Sequence, residues 1–389
     1  MSILNRDSFY FLDTNEKYLR EDTALWHIRD FNDADCYYYE FKHGNAFDVF
    51  PIESLIPSHD LIRLKNREIR LVICNCHEAF HSVVIDLYNT LVINNKIPPE
   101  QITLISESAD ILSEVKRVSA LYGVGEMKAE WVRVFENCIQ REKLHLIQTA
   151  PKRPIVENRI YSKKFLNFNR RWRLHRPALV ALLCANNLLD KGHISLGASD
   201  DARSWESVWS EMLHMFATNN RVSNTFTENK ESILNIPPLY LDSTDLTVNK
   251  AHLEHSTTDL YEETYFSVVT ETNFITSSLY NNVVESSRFL SEKTFKPIAQ
   301  CHPFIVVSVP NFLDTLRSVG YKTFSPWIDE SYDTELNDGE RLLKIVAEIK
   351  RLSELSPVQI KEFQDGVRDI CTFNLGVLLR KTEFIDKLN

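Results

Sequence analysis

Two unbroken apolar runs, Arg70–Asn75 (RLVICN) and residues 101–106 (QITLIS), flank a stretch in which Val83, Val84, Leu87, Leu91 and Val92 recur at helical spacing. Continuous β-branched runs of this length are how strands covered on both faces read, and a 3.6-residue recurrence marks the helix joining them. The pattern therefore predicts two strands with a helix over 79–92 between them. Helices over 109–121 and 127–140 and a strand over 144–148 extend the alternation. Residues 1–65 mix aromatic and acidic side chains and read as short strands and turns at one edge of this domain. Residues 150–159, APKRPIVENR, carry two prolines and no period, and read as a linker.

The second half alternates in the same way. Strands are expected over 164–168 and 193–196, with a helix over 177–189 that carries Pro177 in its first turn, where a missing N–H costs little. An amphipathic helix follows over 205–216, and the polar stretch 219–235 reads as a surface excursion. Phe266–Thr270 and residues 304–309 are β-branched strands, the latter stopped by Pro310, and Ser291 opens a short helix between them. Helix over 311–319, strand over 321–324 and helical periodicity from Asp338 to the end complete the pattern. Strands alternating with helices predict parallel α/β domains.

Composition narrows the classes. A chain of 389 residues exceeds the usual ~100–200 per domain, so two domains are expected. No apolar run approaches the ~20 residues of a membrane span, and the first residues lack a basic, apolar and small-residue leader, so a cytoplasmic location is expected, that of the host cell if the source is viral. The seven cysteines are odd in number and scattered, which fits buried thiols better than a disulfide framework. A net charge of −10 argues against nonspecific duplex binding. With nine glycines, and Gly123-Val124-Gly125 lacking a third, dinucleotide and Walker loops are not expected. Asp33-Ala34-Asp35 reads as an acidic turn.

The chemistry concentrates between Thr264 and Pro310. A helix start following a parallel strand faces the crevice where ligands sit, and Ser291-Glu292-Lys293 would offer it backbone N–H groups, a carboxylate and an ammonium. Something small, anionic and hydroxylated, such as a nucleoside diphosphate, fits those groups. A basic cluster, Arg170, Arg171, Arg173, His175 and Arg176, stands where an earlier strand gives way to a helix. Guanidinium groups there suit phosphate oxygens and a leaving group of growing charge.

The ordered string from SEKTFKPI through HPF to IDESYD resembles the donor-binding half of α1,3-fucosyltransferase-like glycosyltransferases, and more closely phage-type glycosyltransferases. The resemblance spans roughly residues 162–352 and is dense over 264–333. It implies two Rossmann-like domains of GT-B-like arrangement: 1–155 on the acceptor side, 156–355 binding a UDP- or GDP-linked sugar, and C-terminal helices over 356–389 returning toward the first domain. It also implies Lys293 on a donor phosphate, Glu292 on ribose hydroxyls, Arg170 or Arg173 as second phosphate ligand and Glu271 near the sugar. Lys296 is either a further ligand or a surface lysine. The donor is a co-substrate, and no cofactor or metal is expected. Asp329, Glu330 and Asp333 either line the crevice or cap the helix beginning near Asp338.

An inverting transfer needs a base for the acceptor hydroxyl. Glu78, following the strand Arg70–Asn75, is the candidate and His77 the reserve. The acceptor is a glycan or a hydroxymethylated pyrimidine in DNA, for which Lys65, Arg67 and Arg70 are the nominated phosphate contacts. Two other classes stand beside this one. One is a non-catalytic nucleotide- or carbohydrate-binding protein. The other is a zinc peptidase through His77-Glu78-x-x-His81, against which the preceding strand argues, because that motif belongs inside a helix.

Overall fold

The computed structural model describes residues 36–40, 56, 58–75, 83–149, 161–170, 172–197, 204–241, 255–276 and 287–380. The chain divides into two compact units. One runs to Asn137 and includes Ser287–Phe289; the other holds Cys138–Ser286 and everything from Leu290 onward. The division thus falls inside the helix Val134–Thr149 rather than in the proline-containing segment, and the helix Pro357–Arg380 belongs to the second unit.

In the first unit four parallel strands lie in chain order: β1 (Cys36–Glu40), β2 (Arg70–Asn75), β3 (Ile102–Ser106) and β4 (Lys128–Trp131). Every residue of β3 is buried, which is why it reads as an unbroken apolar run. Leu71, Ile73, Ile102 and Leu104 pack with Leu87, Leu91 and Val115 in one core. Two expectations fail here. Residues 128–131 form β4 instead of starting a helix, because KAEW alternates between exposed and half-buried as an edge strand does. Residues 144–148 are helical, and the Leu-His-Leu alternation that suggested a strand lies in the last turns of Val134–Thr149. The helix Ser58–Lys65, with Leu61 and Leu64 buried, was not expected at all. Gly123 does end a helix, in the left-handed region at φ 63°. The nominated Arg67 is paired with Glu100 at 2.6 Å.

The second unit holds β5 (Phe165–Asn167), β6 (Gly192–Ile194), β7 (Phe266–Thr270) and β8 (Phe304–Val307), parallel throughout and ordered β6-β5-β7-β8. From β5 the chain moves outward to β6, then returns to the other side of β5 for β7 and moves outward again to β8. The order therefore reverses between β5 and β7. Helix Glu292–Ala299, expected from Ser291, lies between β7 and β8 in the chain and buries Phe295, Ile298 and Ala299. Each fully buried phenylalanine of this core contributes roughly 1.5–3 kcal/mol.

The polar stretch 219–235 is not a loose excursion. It forms the helices Asn220–Glu228 and Lys230–Leu234, which bury Val222, Phe226 and Ile233. No strand forms over 321–324. Tyr321 and Phe324 are buried, and the Asn374 side chain takes the place of a strand partner by both accepting from and donating to the Lys322 backbone at 2.8 Å. Helices Asp338–Ser353 and Pro357–Arg380 match the periodicity read from the sequence. Among the described residues no helix is long and apolar enough to cross a membrane.

Candidate functional site

In an open α/β sheet, the loops leaving adjacent strands part company where strand order reverses, and the opening at the carboxyl ends there accommodates ligands. In the second unit that point lies between β5 and β7. The loop after β5 carries the basic turn 168–176, and the loop after β7 begins at Glu271.

The basic turn is held by polar groups that the strand ends bury. Asn167 donates to the Val268 carbonyl at 2.6 Å, Asn169 donates to Asn167, and Thr270 donates to Asn169. Gly197 lies against the Arg170 carbonyl so closely that a Cβ would meet that oxygen at 2.5 Å, so only glycine fits there. With the turn fixed, Arg173 donates to the Thr272 carbonyl at 3.4 Å, and Arg176 donates to the Thr270 and Glu271 carbonyls at 3.5 and 3.4 Å. His175 Nε2 lies 2.9 Å from the Glu271 carbonyl. A carbonyl only accepts, so this nitrogen carries the proton.

Glu271 is fully buried. Its carboxylate accepts from the hydroxyls of Ser291 and Thr294, both at 2.6 Å, and from the amides of Thr272 and Ser291 at 3.3 and 3.4 Å. This changes the role read from sequence. A carboxylate with four donors and no exposed surface is not placed beside a sugar; it pins the start of helix Glu292–Ala299 to the end of β7. Ser291 is likewise fully committed. Its hydroxyl donates to Glu271 and accepts from the Lys293 amide at 3.3 Å and the Lys293 ammonium at 3.1 Å, which uses its one proton and both lone pairs.

The expectation of free backbone donors at this helix start is also corrected. The Ser291 amide goes to Glu271, the Lys293 amide to Ser291 Oγ and the Thr294 amide to the Ser291 carbonyl. What faces outward is charge on side chains. The Lys293 ammonium rests 2.9 Å from Glu292, with 28% of its side chain exposed. Burial pushes the Glu292 carboxyl up, but the ammonium groups of Lys293 and Lys296 outweigh it and hold the group below the usual carboxylate value.

The two halves of the site share one field. Burial, Arg176, Arg173 and Lys293 together hold the His175 imidazole well below its ordinary value, against the bond to Glu271, so it is neutral at pH 7. The charges of Arg173, Arg176 and Lys293, from two segments roughly 120 residues apart in sequence, thus all bear on one imidazole. Arg170 belongs to the same turn and is half-buried. Arg171, His77, Glu78 and His81 lie outside the described residues, as do Asp33 and Asp35. Among the described residues no cluster of three His, Cys, Asp or Glu could hold a metal ion.

Other residues take structural positions. Asp333 caps the helix Phe312–Ser318 by accepting from the Leu313 amide at 3.0 Å, whereas Asn337 caps the helix beginning at Asp338. Glu330 clamps a turn through the amides of Phe324 and Ser325. His302 is buried between Ser267 Oγ at 2.8 Å and the Thr264 carbonyl at 2.9 Å and packs as a turn residue. Thr294 and Thr272 were missed. The signal for Thr294 was its position three residues after the cap, within reach of whatever the cap binds.

No family model matches the chain, and no curated protein matches it. Among solved structures, the N-terminal domain of Candida albicans trehalose-6-phosphate phosphatase is similar at a TM-score of 0.38 and 9% identity, over 97% of this chain and 81% of that one. A GtfA/B complex is similar at 0.37 and 9%, over 86% of this chain and 56% of that one. The chain therefore spans little more than half the length of the second. At these scores neither likeness bears on activity or on the arrangement of the two units.

Proposed function

We propose that the second unit binds the diphosphate of a nucleotide-linked sugar and that the protein is a glycosyltransferase, inverting and of GT-B-like arrangement. The observation carrying this reading is that, at the reversal of strand order, Arg173 and Arg176 dock on the Thr272 and Glu271 carbonyls while Lys293 bonds Ser291, itself bonded to Glu271, with Glu292 beside it. Lys293 and Arg173 take the phosphate oxygens, and Glu292 accepts from ribose hydroxyls. Because Lys293 is paired with Glu292, binding exchanges that pair for contacts to the ligand. Arg170, Arg171 and Lys296 are secondary candidates for the same anion. Glu78, with His77 in reserve, removes the acceptor proton, and the acceptor is a glycan or a hydroxymethylated pyrimidine in DNA.

A thermal-shift screen with UDP, GDP, CMP and their sugars tests the reading. A ligand at a hundred times its Kd adds about 2.7 kcal/mol to stability, so the right nucleotide raises the Tm and Lys293→Ala removes most of that rise. If every nucleotide leaves the Tm unchanged, the donor site is wrong. If one binds without transfer or hydrolysis, the protein is a non-catalytic binder on this scaffold.

A further inference from the structure

Arg341 has a side chain 1% exposed on helix Asp338–Ser353, an expensive place for a guanidinium unless each donor is used. Its fork donates to the carbonyls of Phe274, Ser308 at 2.9 Å and Glu335 at 2.8 Å, and to Asp338. Phe274 and Ser308 stand on the loops leaving β7 and β8, at the ligand-facing ends of both strands. Asp338 in turn accepts from Thr276, through its amide at 3.1 Å and its hydroxyl at 2.8 Å. The guanidinium also lies 4.4 Å over the Phe274 ring, and on that ring His175 stacks at 5.5 Å and 18°.

We infer that Arg341, acting through the Phe274 ring and the His175 imidazole, is the positioning residue that sets where the cations at the end of β7 stand. Each link is short. Arg341 fixes Phe274, the ring fixes the plane of His175, and His175 holds the Glu271 carbonyl, which Arg176 shares. Arg173 is docked on the next carbonyl of the same strand end. If Phe274 loses its ring, the imidazole loses its backing, and the carbonyls that aim both guanidiniums are free to tilt. This rests on the donor reading for its meaning, since the aimed groups are those assigned to the diphosphate.

Phe274→Leu keeps an apolar side chain and removes the stack; Arg341→Lys keeps the charge and removes the fork. In the full chain, amide hydrogen exchange over residues 270–276 and the Kd for UDP and for GDP are read together, with Phe274→Tyr as the conservative rescue. Either of the first two variants is expected to speed exchange over 270–276 and to weaken the diphosphate that binds about tenfold, with the tyrosine variant near wild type in both. Unchanged exchange in both variants overturns the inference. So does faster exchange with an unchanged Kd, or failure of tyrosine to restore the wild-type values. If the wild type binds neither diphosphate, the donor reading falls by itself, and the exchange result with its rescue still decides whether the stack holds the strand end.

Discussion

Asp333 shows how one buried carboxyl turns geometry into pH dependence. Burial raises its pKa to about 6, against the lowering effect of the Leu313 amide and the Arg317 charge. The folded value lies above the unfolded one, so the folded state binds the proton more tightly. The stabilisation this gives is complete below about pH 4 and is lost as pH rises through about 6. Asp333→Asn keeps an acceptor for Leu313 and removes the buried charge. Its unfolding free energy in urea titrations is expected to exceed the wild-type value at pH 7, by an amount on the order of 2 kcal/mol, and to converge with it at pH 4. Glu271 behaves differently, because its two oxygens accept from two different backbone amides, those of Thr272 and Ser291, whereas Asp333 shares one between its oxygens. Glu271→Gln therefore turns one NH2 against an amide donor whichever way it flips, and chemical denaturation is expected to show a loss of about 1–3 kcal/mol. A result within a few tenths of wild type would mean that the helix start is held by other contacts.

Helix starts are joined to one another as well as capped. Asn219 accepts from the Val222 amide at 3.1 Å, which caps Asn220–Glu228, and donates to Asn337 at 3.2 Å and Glu340 at 2.9 Å, the cap and first turn of Asp338–Ser353. Asn219→Ala removes one cap and loosens the second, so its cost is expected near the upper end of single-cap losses, about 2 kcal/mol by thermal or urea unfolding. Asn219→Asp preserves its own cap but sets a charge against Glu340, and is expected to lie between alanine and wild type. At this scale the sequence was most readable where one rule acted alone. Strands β2, β3, β7 and β8 are covered on both faces and show as continuous apolar runs, and Ser291 announces a helix by the ordinary capping preference. Residues 220–234 were unreadable as helices because their buried stripe is only Val222, Phe226 and Ile233 in an otherwise polar stretch. Residues 128–148 misled because an edge strand and the helix after it exchange their periods.

In the whole molecule, the site's residues were more legible than its wiring. Lys293, Glu292, Arg173 and Arg176 could be nominated from charge and position, and their gathering rests on the strand order β6-β5-β7-β8, which three-residue strands such as β5 and β6 do not declare. The bond between Glu271 and Ser291 spans twenty residues and that between Arg341 and Ser308 spans thirty-three, and no local pattern reports either. In the proposed donor complex, the charges on Lys293 and Arg173 take the part that a divalent ion would otherwise play. Transfer from the donor identified by thermal shift is thus expected to be unchanged by EDTA, and a loss of rate that added magnesium or manganese restores would assign a metal to the reaction.

The indole of Trp327 packs against Gly366, where even a methyl group would fall 2.0 Å from the ring, and Arg351 holds the tryptophan carbonyl at 2.9 Å. A third of that residue still faces water. Separation of helix Pro357–Arg380 from this residue would therefore wet the indole and move its share of the emission, one of six tryptophans, to the red.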